Sequence, residues 1–270
     1  MAHDTEEVHS QGEVISVCSA KGGIGKTLIA VNLAVALNKK NVKVCVVDGD
    51  FQFGDIGLAF DVKSPLTVKD LAEEVDQLDS YNIGNYIVKH QSGVDLLLAP
   101  EQPQYAELVT TEVIGRFLSL LKEQYDYIIV DAGQGLTGQM VDLIENADRI
   151  LTVSTLEVAS LRHTKKLLET IGQLGLSERT ELIINRHNME SLIKADEVPD
   201  MLKVDSAYYI PNNFKVAAQS LNLGVPVAVS HSKTDVSKSI FKLAQSLTVT
   251  DRTKSEKKKG SLLSKVFSKS

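Results

Sequence analysis

Seven consecutive residues, Lys21-Gly22-Gly23-Ile24-Gly25-Lys26-Thr27, combine the parts needed to hold a polyphosphate. Glycines let backbone N–H groups converge on phosphate oxygens, Lys26 supplies positive charge, and Thr27 offers a hydroxyl that can ligate Mg²⁺. The run follows an apolar stretch, Val14 to Cys18, and precedes an amphipathic helical one, Leu28 to Leu37. Strand, loop and helix in that order are the setting a phosphate-binding loop requires. Lys21 is an extra cation at the entrance of the loop. Spacing alone leaves it either a solvated lysine or a second group that reaches phosphate.

Two further apolar runs end in aspartates, Val46-Val47-Asp48-Gly49-Asp50 and Ile128-Ile129-Val130-Asp131-Ala132-Gly133. Apolar residues leading into a carboxylate make sense where the carboxylate meets a cation, usually through a water in the Mg²⁺ shell. A strand-end aspartate can also do no more than cap the next turn. Two such ends beside a phosphate-binding loop favour the metal.

These groups need a frame. Strand-like runs recur near residues 14–19, 43–48, 94–99, 126–131, 149–154, 180–185, 207–210 and 226–229. Helical patterns fall between them, at 26–38, 67–75, 110–124, 136–146, 159–174, 190–203, 213–222 and 235–249. Several strand runs are apolar throughout, as strands covered on both faces are. The alternation predicts an α/β fold, a single doubly wound domain with a mainly parallel sheet, helices on both faces, and ligands at the carboxyl ends of the strands.

With 270 residues, 43% hydrophobic and 24% charged, the chain can bury a sizeable core. No run approaches the roughly 18 apolar residues of a membrane span. Residues 1–12 are polar and acidic, unlike a signal or transit peptide. Cys18 and Cys45 sit inside predicted core strands and read as small buried hydrophobes, which suits a reducing cytoplasm. Six scattered histidines offer no zinc spacing.

Charge is unevenly spread. Seven basic residues against Glu256 give residues 252–270 a net +6, so a total of −6 leaves −12 on the rest. An acidic body argues against wrapping DNA, and a basic tail points to an anionic surface. Within the tail, Leu262, Leu263, Val266 and Phe267 share one helical face, flanked by Lys257 to Lys259, Lys265 and Lys269. The expected organisation is a polar extension (1–12), a phosphate-binding α/β domain (13–250), a basic linker (251–259) and an amphipathic membrane-targeting helix (260–270). About ten residues cannot hold a helix in water, so this one would fold on binding.

Lys21 followed at once by two glycines resembles the deviant Walker A motif of the MinD/ParA ATPases, and the resemblance extends over roughly residues 13 to 270. It implies ATP and Mg²⁺ as cofactors, slow hydrolysis, and an ATP-dependent homodimer in which Lys21 reaches the partner's phosphates. Gly22, Gly23, Ile24, Gly25, Lys26, Thr27 and Leu28 would hold the phosphates. Asp50 would orient the attacking water, and Thr27, Asp48 and Asp131 would support the metal. Leu182-Ile183-Ile184-Asn185-Arg186 and Tyr209-Ile210-Pro211-Asn212 resemble the segments that cradle adenine, with Asn185 and Arg186 at one edge and Pro211 on the ring. Leu28, Ala132 and Leu156 depart from common family residues without removing a charge.

Within the family, Asp50-Phe51-Gln52-Phe53-Gly54-Asp55 is similar to switch I of the CpaE/TadZ pilus-assembly branch, as are residues 92–103 and 161–168. The tail looks like the membrane-targeting sequence of MinD. The implied protein is cytoplasmic, peripheral at the inner face of the cell membrane, and positions an envelope assembly such as a pilus system with an unidentified protein activator or cargo. Two rivals stand beside it. One is a ParA-type DNA partition ATPase, with Arg162, His163, Lys165 and Lys166 as the contact patch. The other is a nucleotide-binding scaffold without turnover.

Overall fold

The computed structural model describes residues 11–248. Most of the polar extension, the basic linker and the amphipathic tail therefore lie outside the described residues. Eight strands form one sheet: β1 (Glu13–Cys18), β2 (Val44–Asp48), β3 (Val88–Lys89), β4 (Asp95–Leu97), β5 (Tyr127–Asp131), β6 (Arg149–Ser154), β7 (Thr180–Asn185) and β8 (Ala207–Ile210). Their spatial order is β3-β4-β2-β5-β1-β6-β7-β8. All neighbours run parallel except the β3–β4 pair. This is the doubly wound α/β sheet expected from the alternation.

The period of two along each strand divides the core. In β1, Val14 and Cys18 face one layer while Ile15 and Val17 face the other. In β5, Ile128 and Val130 oppose Ile129 in the same way. Helices α3 (Val68–Glu73), α4 (Thr111–Gln124), α5 (Gly138–Glu145) and α6 (Val158–Gln173) contribute to the first layer. Helix α1 (Lys26–Leu37), the short α2 (Ile56–Ala59), α8 (Phe214–Leu223) through Leu221, and a last helix over residues 235–248 contribute to the second. Cys18 and Cys45 are free and buried in the first layer. Burial pushes both thiols up, Cys18 to about 11, so neither is a ready nucleophile.

Three readings change. Helix α1 is not amphipathic: residues from Lys26 through Leu37 are buried almost all round, because α2 and the last helix cover the side that faces away from the sheet. Residues 226–229 form no strand but a single turn, α9 (Val227–Ser230). Pro226 starts it, and buried Asn32 of α1 accepts the Ala228 N–H at 2.7 Å. Four apolar residues cannot distinguish the two states by periodicity. The helix expected over 190–203 is shortened to α7 (Val198–Leu202) after a 3-10 turn, with Pro199 in its first turn. Ahead of it, Asn188 accepts the Asn212 N–H and Ser191 bonds Leu156 O and Ile193 N. Ser191 thereby takes the Ile193 N–H into a local turn, an alternative to helix at this point.

Candidate nucleotide site

The phosphate-binding loop sits at the carboxyl end of β1, near the middle of the sheet. Gly23 and Gly25 adopt left-handed backbone, φ 72° and 95°, and Gly25 forms the N-cap of α1. An L side chain at either position would be strained, so the turn needs glycine there. Lys26 opens the helix and is nearly buried.

Strands β2 and β5 are neighbours, with β5 beside β1, so their terminal carboxylates converge on the loop. Asp131 receives Lys26 Nζ at 3.0 Å on Oδ1 and the Thr27 hydroxyl at 2.6 Å on Oδ2. Asp48 pairs in register with Asp131 and is buried beside it. Its Oδ2 accepts the Ile56 N–H at 3.0 Å, while its buried Oδ1 has no partner among the described residues. Burial, then the charge on Asp131, pushes the Asp48 carboxyl well above its ordinary value.

An orphaned buried oxygen beside a second carboxylate and a hydroxyl is a donor set that suits Mg²⁺. That ion takes oxygen ligands and uses one or two carboxylates together with substrate phosphates. Among the described residues, no group of three or more His, Cys, Asp or Glu side chains could hold a metal alone. Phosphate oxygens would have to complete the shell.

Asp50 follows β2 and is partly exposed; its Oδ1 accepts the Phe53 N–H at 3.1 Å, folding the loop back on itself. Phe53 at its tip is 71% exposed. Asp55 starts α2, and burial followed by the charges on Asp131 and Asp50 raises its carboxyl. Lys21, half-exposed, pairs with Glu157, the residue immediately ahead of α6.

On the other side of the loop, β7 ends in Asn185. This residue is buried, and its Nδ2 donates to Ile24 O at 2.7 Å while its Oδ1 accepts the Arg186 N–H. An amide has two N–H groups and two carbonyl lone pairs, so one of each remains. Arg186 is left-handed, φ 55°, and its guanidinium reaches Gly23 O at 3.2 Å. Pro211 directly follows β8, whose last residue pairs in register with Asn185. The carboxylates therefore lie on one flank of the loop, and Asn185, Arg186 and Pro211 on the other.

A family model described as an AAA domain (AAA_31) matches residues 12–184. The chain belongs to that family. MinD, the septum site-determining protein of Thermotoga maritima, is 29% identical over 244 residues, covering 87% of each chain. The solved ParA family ATPase from Chlorobium tepidum is 28% identical with a TM-score of 0.81, over 86% of this chain and 98% of that one. Pyrococcus horikoshii MinD, solved in complex with Mg-ADP, is 25% identical with a TM-score of 0.77, over 87% and 96%. This AAA_31 member is a MinD/ParA-type P-loop ATPase and hydrolyses ATP. MinD and ParA proteins, not the pilus-assembly branch, are what these matches name.

Two residues that sequence analysis passed over stand in the site of this ATPase. Glu157 holds Lys21 from 136 positions away, and no local pattern announces such a partner. Gln134 lies against Gly22: a methyl built on that glycine would run into Gln134 Oε1. Its signal was available, an amide side chain between two glycines three residues after Asp131. Arg162, His163, Lys165 and Lys166 are all exposed on α6, a solvated helix face.

Proposed function

We propose that the chain is a membrane-docking positioning ATPase that pairs with a second copy on binding Mg²⁺-ATP and releases it on hydrolysis. The observation that carries the reading is the convergence of Lys26, Thr27, Asp131 and the orphaned Asp48 oxygen on one glycine loop. In this reading the backbone of Gly22 through Leu28 holds the phosphates, and Lys26 exchanges Asp131 for a phosphate oxygen. Thr27, Asp48 and Asp131 hold Mg²⁺, which neutralises charge on those oxygens. Asn185, Arg186 and Pro211 receive the base. Asp50 positions the attacking water, and a carboxylate that orients water without a strong base beside it gives slow turnover. Lys21 leaves Glu157 to reach the phosphates held by the partner copy, stabilising charge on the transferred group.

The tail supplies the destination. Four apolar side chains contribute on the order of 1 kcal/mol or more apiece when partly buried, and each nearby lysine up to about 1 kcal/mol on an anionic leaflet. Ordering the tail costs part of that, so one tail binds weakly and two held on a dimer gain about 10²–10⁴-fold in avidity. ATP state thereby sets residence at the cytoplasmic face of the membrane. The cargo is an envelope assembly, and the pilus-type switch I run at Asp50 to Asp55 favours a pilus system over a septum. The −12 charge on the body speaks against DNA as the track.

Sedimentation with anionic liposomes tests this, comparing ATP with ADP and the full chain with one ending at Glu256. Binding that needs both ATP and the tail is expected. Equal sedimentation of the truncated chain would remove the tail as anchor, and a salt-sensitive shift on DNA would favour partition instead.

A further inference from the structure

We propose that Gln134 is a second water-positioning group, acting opposite Asp50 in hydrolysis. The inference rests on the reading of this site as an Mg²⁺-ATP site and adds a residue that neither the motifs nor the family matches assign.

Four observations place it. Gln134 is presented between two left-handed glycines, Gly133 at φ 48° and Gly135 at φ 76°. The loop is anchored on both sides: Ala132 N–H donates to Val17 O at 2.9 Å and Gly135 N–H to Ser19 O at 3.1 Å, just ahead of the glycine loop. Gly133 itself packs on switch I, since a methyl there would meet Gly49 O at 3.5 Å and Asp50 Cα at 3.7 Å. The exposed Gln134 side chain then crosses to Gly22, where the atoms nearest to an added methyl all belong to it. Gly133 against Asp50 and the Gln134 side chain against Gly22 thus link switch I to the first glycine of the loop, and among the described residues the Gln134 amide makes no hydrogen bond.

An amide suits this position. Its carbonyl can accept a proton of the attacking water while its N–H₂ donates to a γ-phosphate oxygen, fixing the water in line. A glutamine orients water in this manner in other P-loop hydrolases. The water oxygen bonds to the γ-phosphorus as the bond to the β–γ bridging oxygen breaks, leaving that electron pair on ADP. One water proton stays as P–OH and the other passes to a γ-phosphate oxygen, so Gln134 itself gains and loses nothing.

Gln134→Asn gives an independent handle: it keeps the amide but shortens its reach by one methylene, so it should fold while drawing the amide away from Gly22.

The test measures single-turnover hydrolysis and, by calorimetry, the affinities for Mg²⁺ with AMP-PNP and for ADP with aluminium fluoride, which mimics the phosphoryl group in transfer. Gln134→Ala should slow hydrolysis about tenfold or more and weaken ADP–aluminium fluoride comparably, with AMP-PNP within about twofold. Gln134→Asn should shift hydrolysis and ADP–aluminium fluoride in the same direction, again with AMP-PNP within about twofold. Hydrolysis within about twofold of wild type in Gln134→Ala, or equal loss of both ligands, would overturn the role. Wild-type protein that fails to bind AMP-PNP with Mg²⁺ would overturn the underlying site, and this proposal with it.

Discussion

Asp48 and Asp131 are in register at the ends of adjacent parallel strands, both buried, and they divide the work of the site between them. Asp131 takes the lysine and threonine of the loop, whereas Asp48 keeps one oxygen with no partner among the described residues. The charge on Asp131 adds to the cost of ionising Asp48, a cost that a divalent cation would relieve.

That relationship predicts a pH dependence without Mg²⁺. The Asp48 carboxyl is raised from 3.8 by burial and by Asp131, so the folded chain keeps this proton after the unfolded chain has lost it. Its contribution to stability is whole below the unfolded value and is lost as pH rises through the folded one. Asp48→Asn should therefore melt higher than wild type at about pH 8 in chelator, with the gap closing toward about pH 4. Calorimetric melts across that range check it. The same variant should lose the stabilisation that Mg²⁺-ATP gives to wild type.

Lys21 and Asp50 should separate pairing from turnover. Lys21 is held by Glu157 and must leave it to act in trans. Lys21→Ala should bind ATP and remain monomeric, while Asp50→Ala should bind ATP and persist as a dimer because water is no longer positioned. Light scattering with ATP distinguishes the two, and a Lys21→Ala protein that dimerises like wild type would exclude the trans role.

Much of this was legible in the chain. The glycine loop, both aspartate strand ends and the apolar runs of β5 and β7 are local patterns, and local patterns survive into structure. Residues 226–229 were not legible, because four apolar residues take their state from Asn32 on another helix. The Lys21–Glu157 pair was equally hidden, since the two meet only through the order of β1 and β6 in the sheet.

Asn32 offers a direct check of that long-range control. Its amide bridges Leu28 O at 2.7 Å and Ala228 N at 2.7 Å inside the core. Asn32→Ala would orphan the Ala228 N–H and should cost about 1–3 kcal/mol in urea unfolding, with the m-value unchanged.

If Lys26, Thr27, Asp48 and Asp131 form one Mg²⁺-ATP site, nucleotide binding should need both the metal and the lysine. Lys26 is also half of a buried ion pair, so Lys26→Ala should destabilise the fold by about 3 kcal/mol and must be shown to be folded by circular dichroism before use. Calorimetric titration of ATP with Mg²⁺ into wild type and folded Lys26→Ala is the most direct measurement. Saturable, Mg²⁺-dependent binding to wild type and its loss in Lys26→Ala are expected; equal affinity in the two proteins would rule the site out.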